Sequence, residues 1–155
     1  MSKTTIWQCK PFAELTTIEL YEVLKLRTEV FIIEQNCFYQ DCDGKDETSW
    51  HLMGIDNGIL CAYARLLPPG LSYETPSIGR VVTSPQCRGK GYGKQLMEVA
   101  VQNIRQLFGE TDLTISAQVY LEKFYASFDF TSTGAIYLED NIEHIKMKRS
   151  IIPTL

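Results

Sequence analysis

The stretch Arg88-Gly89-Lys90-Gly91-Tyr92-Gly93-Lys94 sets three glycines and three cations between an apolar run, Ile78 to Thr83, and an amphipathic one that begins at Gln95. Glycine brings bare backbone N–H groups close to a ligand, and a helix start adds positive potential, so such a turn suits phosphate. Two familiar phosphate loops are excluded by counting. A Walker loop ends in Lys-Ser or Lys-Thr, whereas Gln95 follows Lys94, and Arg88 stands where its first glycine belongs. The dinucleotide pattern Gly-x-Gly-x-x-Gly fails from both possible starts, its third glycine falling on Lys94 or on Leu96.

Outward from the turn, Ser77 to Thr83 reads as a strand. The helix beyond places Gly93, Leu96, Met97, Ala100, Val101, Ile104, Leu107 and Phe108 on one apolar face. Upstream, Thr5 to Lys10 predicts a strand closed by Pro11, and Thr16-Thr17-Ile18-Glu19 a capping box opening a helix to about Ile33. Asn36 to Trp50 is polar, acidic and read as a loop. Asn57-Gly58 between two apolar runs predicts a tight type I′ hairpin whose second arm ends at Pro68-Pro69-Gly70. Downstream, Leu113 to Gln118 reads as a strand, then Leu121, Phe124, Tyr125 and Phe128 as the face of a short helix. Ile136 to Leu138 and Ile145 to Met147 lie in two last strands. The order β-α-β-β-β-α-β-α-β-β, without repeats or linkers, predicts one α/β domain over residues 1–155.

At 155 residues, 45% hydrophobic and 22% charged, the composition is that of an ordinary globular protein. A net charge of −4 and a pI near 5.2 argue against a nucleic-acid binder. No apolar run approaches a membrane span, and Met1 to Lys10 carries no export-signal core. Five cysteines (Cys9, Cys37, Cys42, Cys61, Cys87) leave at least one unpaired, and a cytoplasmic protein with reduced thiols is expected. A metal is not expected. Lys45 and Asp46 break the calcium-loop pattern begun by Asp41 and Asp43, and Cys37, Cys42 and His51 lack a second ligand pair at zinc spacing.

The strand, the turn Arg88-x-x-Gly91-x-Gly93 and the following helix resemble the acetyl-CoA signature, Arg/Gln-x-x-Gly-x-Gly/Ala, of the GNAT superfamily of N-acetyltransferases. The segment from Ala117 to Phe130 is similar to the superfamily's second motif, a strand end followed by a tyrosine-bearing helix. The segments from Leu26 to Asp46, Ala62 to Gly70 and Glu139 to Met147 resemble the ElaA-like branch, with Asp129 and Asn141 in place of its glycines and Glu143 in place of its proline. Asn and Asp tolerate left-handed backbone, so a retained fold is expected, with Glu143 bearing on acceptor specificity.

The resemblance implies a central mixed, twisted sheet flanked by helices and acetyl-CoA as cosubstrate. Its pyrophosphate would lie on the amides from Gly89 to Lys94, with Arg88, Lys90 and Lys94 adding charge around Tyr92 and Gly93. Its pantetheine arm would lie along the Val82-Thr83 edge and near Gln118, with a backbone N–H near Val82 facing the acetyl oxygen. Acyl transfer to an amine needs a base, an oxyanion donor and a proton for the leaving thiolate. Tyr125 matches the superfamily's general acid; Glu34, His51 and His144 are the candidate bases. A second resemblance, to acyl-homoserine-lactone synthases, rests on Arg27, Phe31, Asp43, Asp46 and the run from Arg65 to Pro69. It implies a salt-linked wall of the acceptor pocket made by Arg27, Asp43, Asp46 and Arg65. With Glu34, that acidic wall is expected to draw a small cationic amine. A non-catalytic acetyl-CoA sensor is the remaining alternative. The expected partner is a small amine, not nucleic acid or membrane, and the expected state is a monomer or homodimer.

Overall fold

Thr16 starts the first helix as its sequence requires. Its hydroxyl accepts from the Glu19 amide (3.0 Å), and the Glu19 carboxylate accepts from the Thr16 amide (2.9 Å). The computed structural model describes residues 5–151. Residues 1–4, which begin the segment read against an export signal, and 152–155 lie outside the described residues. The chain runs β1 (Ile6–Pro11), α1 (Thr17–Arg27), β2 (Trp50–Asp56), β3 (Ile59–Leu67), β4 (Ser77–Thr83), α2 (Tyr92–Phe108), β5 (Leu113–Gln118), α3 (Glu122–Ala126), β6 (Thr131–Ser132), β7 (Tyr137–Glu139) and β8 (Ile142–Arg149).

All strands join one sheet in the order β1-β2-β3-β4-β5-β8-β6, with β7 also on β8. Only β4 and β5 run parallel, because the α2 crossover separates them; every other pair is antiparallel. Strand alternation sends Leu52, Ala62 and Ala64 to one face, against Leu96 and Met97 of α2. Met53 and Tyr63 point to the other, against Val23 and Leu26 of α1. The Asn57-Gly58 turn has both residues at positive φ (53° and 77°), as a type I′ hairpin demands.

Several expectations shift. Pro11 is the last residue of β1 rather than its stop, which an edge strand tolerates because proline's missing N–H is not needed on the open side. The first helix is α-helical only to Arg27; Thr28–Glu34 continues it as wider π-helical turns, rich in β-branched residues that crowd a regular helix. A two-residue strand, β6, appears that no sequence pattern marks, and Leu107 faces outward from α2. Cys61 and Cys87 stand as a disulfide with Cα atoms 5.6 Å apart, correcting the expectation of reduced thiols throughout; Cys9, Cys37 and Cys42 are free. The pairing arises because the Ser84 amide donates to Cys61 O (2.8 Å) and the next turn curls Cys87 back, its amide on Ser84 O (2.9 Å). Asp129 and Asn141, the two residues in glycine positions, adopt φ of 71° and 65°. Among the described residues no helix is long and apolar enough to cross a membrane.

Candidate active site

β4 and β5 touch at one register position, Ser77 opposite Thr114, and then diverge. The cause lies in β4. Arg80 takes a positive φ of 50°, and Arg80 and Val81 together oppose Ala64 of β3, a bulge that bends the strand away. The wedge so opened is part of a cavity of about 760 Å³, lined on the β4 side by Gly79 to Thr83 and on the β5 side by Ile115, Ser116 and Gln118. Because Ser84 donates to β3, alternation turns the Val82 amide to β3 as well and the Thr83 amide toward the wedge. The free backbone edge beside Val82 is therefore at Thr83.

The wedge ends at the glycine turn. Gly91 is the N-cap of α2 at φ 81°, no side chain caps the helix start, and a Cβ built on Gly89 or Gly91 meets no atom within 4 Å. Such a helix start offers N–H groups to an anion in open space. Arg88 and Gly93 line the cavity, while Gly89, Lys90 and Lys94 are exposed and outside its lining. Tyr92 contributes only backbone here, since its side chain is buried and its hydroxyl donates to Asp56.

Tyr125 of α3 is 7% exposed and lines the same cavity. Among the described residues no protein group hydrogen-bonds its hydroxyl. Burial pushes its phenol up, so it holds its proton throughout the neutral range. Gln118, at the end of β5, lines the cavity with its amide on Gln35 Oε1 (3.4 Å).

The wall read from the synthase resemblance is an ion network larger than expected. Arg27, fully buried, donates from Nε to Asp41 Oδ2 and from Nη1 to Asp46 Oδ1, both 2.8 Å. Arg65 binds Asp43 with two nitrogens, each at 2.8 Å, and reaches Asp46 Oδ1 at 2.9 Å. Arg80 joins through Asp41 (Nε to Oδ1, 2.8 Å) and Asp43 (Nη2 to Oδ2, 3.4 Å). No sequence signal points to Asp41 or Arg80 as members; Arg80 reads as a strand residue until the bulge turns it. The three arginines cancel the three aspartates. Burial alone would raise the Asp43 carboxyl, but the Arg65 hydrogen bonds and charge outweigh it and hold the group well below the usual carboxylate range. The salt-linked wall is present, and Asp43 lines the cavity with its charge already matched by Arg65 and Arg80, which weakens the expectation that this carboxylate draws an amine.

Glu34 also lines the cavity, bound by Arg88 with two bonds of 2.7 and 2.9 Å that lower its carboxyl. Arg88 thus faces an acidic partner as well as the glycine turn. His51 is fully buried away from the cavity, with Nδ1 on Tyr63 Oη (2.7 Å) and Nε2 on Asp46 O (2.9 Å). Both ring nitrogens are engaged and burial lowers its pKa, so its placement is structural and it is removed from the candidate bases. His144, opposite Gln118 in the sheet, does line the cavity, with Glu139 and Asp140 beside it. Glu143 is exposed and outside the lining, so the departure there does not reach the pocket. Tyr39, Tyr73 and Ser116 complete the lining at this end of the cavity, and only their distant neighbours in space identify them.

Known proteins place this geometry. The family model "Acetyltransferase (GNAT) domain" matches residues 19–151. A UPF0039 protein of Synechocystis is 44% identical over 91% of this chain and 92% of its own, and Protein ElaA of Escherichia coli is 40% identical over 94% and 97%. The crystal structure of an acyl-CoA N-acyltransferase from Pseudomonas aeruginosa, 46% identical, superposes with a TM-score of 0.90 over 95% of this chain and all of that one. The splayed strands, the glycine turn and the sequence relationship agree: the chain belongs to the GNAT acetyltransferase family, in its ElaA-like branch.

Proposed function

We propose that the protein is an N-acetyltransferase that moves the acetyl group of acetyl-CoA directly to a small primary amine. One observation carries this reading: the open edge of β4, the first turn of α2 at Gly93 and the residue Tyr125 all border one cavity. The amides around Gly91 suit the pyrophosphate, and the open β4 edge suits the extended pantetheine arm, which can pair with it as a strand would. When bound, acetyl-CoA supplies an activated thioester. The chain then holds the acetyl oxygen with an N–H at the Val82-Thr83 edge and returns a proton to the departing sulfur from Tyr125.

A small acceptor is favoured because the loop from Asn36 to Trp50, anchored through Asp41, Asp43 and Asp46 on three arginines, walls the cavity instead of leaving a groove for a peptide. The synthase-like alternative shares this salt-linked wall and differs in its acyl donor. The test is thiol release from acetyl-CoA against a panel of amines, with long-chain acyl donors in parallel. Release with amines and the acetyl donor supports the reading. Coenzyme A binding without release with any amine would instead indicate a sensor, and preference for long acyl chains a synthase.

A further inference from the structure

We infer that His144 is the base that deprotonates the acceptor amine and that Glu139 positions it, an inference that rests on the acetyltransferase reading. His144 Nδ1 lies 2.8 Å from Ile142 O. A carbonyl only accepts, so Nδ1 carries the hydrogen and the neutral ring presents its lone pair at Nε2. Nε2 in turn lies 3.5 Å from Glu139 Oε2. With the ring neutral, two acceptors face each other, an arrangement that a donor can bridge. The acceptor's ammonium is such a donor, able to hydrogen-bond both groups before giving a proton to Nε2.

The surroundings hold His144 in place, while the Glu139 side chain is 52% exposed. The His144 side chain is 9% exposed, and its ring stacks on Tyr137 (6.1 Å between centroids), whose hydroxyl bonds Ser116 of β5. The β7–β8 turn is clipped to the loop after α1 by the Cys37 thiol on Asp140 O (2.8 Å). The charge balance of the lining points the same way. Asp43 is neutralised by Arg65 and Arg80, and Glu34 by Arg88. Among the described residues, Glu139 and Asp140 are the lining carboxylates without an Arg or Lys partner. Other polar or titratable groups around the pair are Tyr73 and Tyr137, Gln118 from β5, and Lys146, which sits over the Tyr73 ring (5.9 Å).

The protons balance. His144 takes one from the ammonium, and the freed nitrogen bonds to the acetyl carbon as the carbon–sulfur bond breaks. The sulfur takes the Tyr125 proton, the nitrogen's second proton restores the phenol, and His144 returns its own to water.

The experiment compares wild type, His144→Gln and Glu139→Gln in thiol release from acetyl-CoA with 2-phenylethylamine, spermidine and glycinamide across pH 6–9, and with hydroxylamine. Hydroxylamine is already neutral at pH 7 and has little need of a base. His144→Gln is expected to lower kcat/KM for protonated amines by about 10²–10⁴-fold while hydroxylamine falls far less. Glu139→Gln should cost about 10-fold in kcat/KM for the same amines and spare hydroxylamine, a split that a merely structural role would not produce. Acetyl-CoA affinity should be unchanged in both. Wild-type rates in His144→Gln, or equal losses with hydroxylamine and amines, would overturn the base while leaving the acetyltransferase reading intact. A wild type silent with every amine would overturn that reading, and the base with it.

Discussion

At the glycine turn the site is made of backbone, and the residues that shape it, Arg88 to Lys94, are contiguous in the chain. At the opposite wall it is made of side chains, brought from α1, the following loop, β3 and β4 and locked as Arg27, Asp41, Asp46, Arg65, Asp43 and Arg80. A backbone cradle needs only residues that permit its φ angles and leave room for a ligand. An ion network needs every partner, because removing one leaves its neighbours buried and uncompensated. On the proposed function, the glycine turn should therefore tolerate mutation as a fold and fail as a binder, while the ion-network wall should do the reverse.

The sharpest attempt to break that contrast is Arg27→Met. Arg27 is fully buried and holds both Asp41 and Asp46. Its loss should destabilise the domain by about 3–5 kcal/mol, measured by urea unfolding. A loss below about 1 kcal/mol would mean that Arg65 and Arg80 alone satisfy the aspartates.

Tyr125→Phe removes one hydroxyl that no protein group hydrogen-bonds among the described residues, so stability should hardly change. Turnover should fall by about 10²–10⁴-fold with acetyl-CoA affinity retained. Undiminished turnover where chemistry limits the rate would assign the proton to another group.

Asp43→Asn probes the wall at its cavity side. Loss of the doubly bonded partner of Arg65 should cost about 1–3 kcal/mol and leave the KM for acetyl-CoA unchanged. The pH dependence follows with its sign. The folded-state pKa values of Asp43 and Asp46 are depressed, so their contribution is fully present above the unfolded value of about 3.9 and is lost as pH falls from there through the folded one. Stability of the Asp43→Asn variant should then decline less steeply below about pH 4 than that of wild type.

The smallest effect on the fold belongs to Arg88→Ala. Its pair with Glu34 is 43% exposed on both sides, so stability should move by no more than about 0.5 kcal/mol. Coenzyme A affinity should nonetheless drop, by about 1–3 kcal/mol in calorimetry, if Arg88 exchanges the carboxylate for a phosphate.

The same contrast explains what is legible in the sequence. The turn, its helix, the capping box at Thr16 and the Asn57-Gly58 hairpin depend on neighbours in sequence, and each appears as its residues suggest. Tyr125, Val82, Thr83 and Gln118 line the cavity because the motif that carries them is local to β4, β5 and α3. His51 misleads because nothing near it in sequence shows Tyr63 arriving across the β2–β3 hairpin. Arg80 escapes notice because its φ, not its identity, turns it into the network, and Asp41 because the loop's shape decides which acids face inward. The Cys61–Cys87 pair likewise depends on how β3 and β4 align.

Calorimetric titration of coenzyme A into wild type and Gly91→Val tests the central claim most directly. The built Cβ at this position meets nothing within 4 Å, so the variant should fold with only the cost of a non-glycine residue at φ 81°, about 1–2 kcal/mol. The side chain would, however, occupy the space a pyrophosphate must enter. Saturable binding to wild type, weakened by at least about 10-fold in a folded Gly91→Val, is the predicted result. Equal affinity in the two proteins would contradict the backbone cradle.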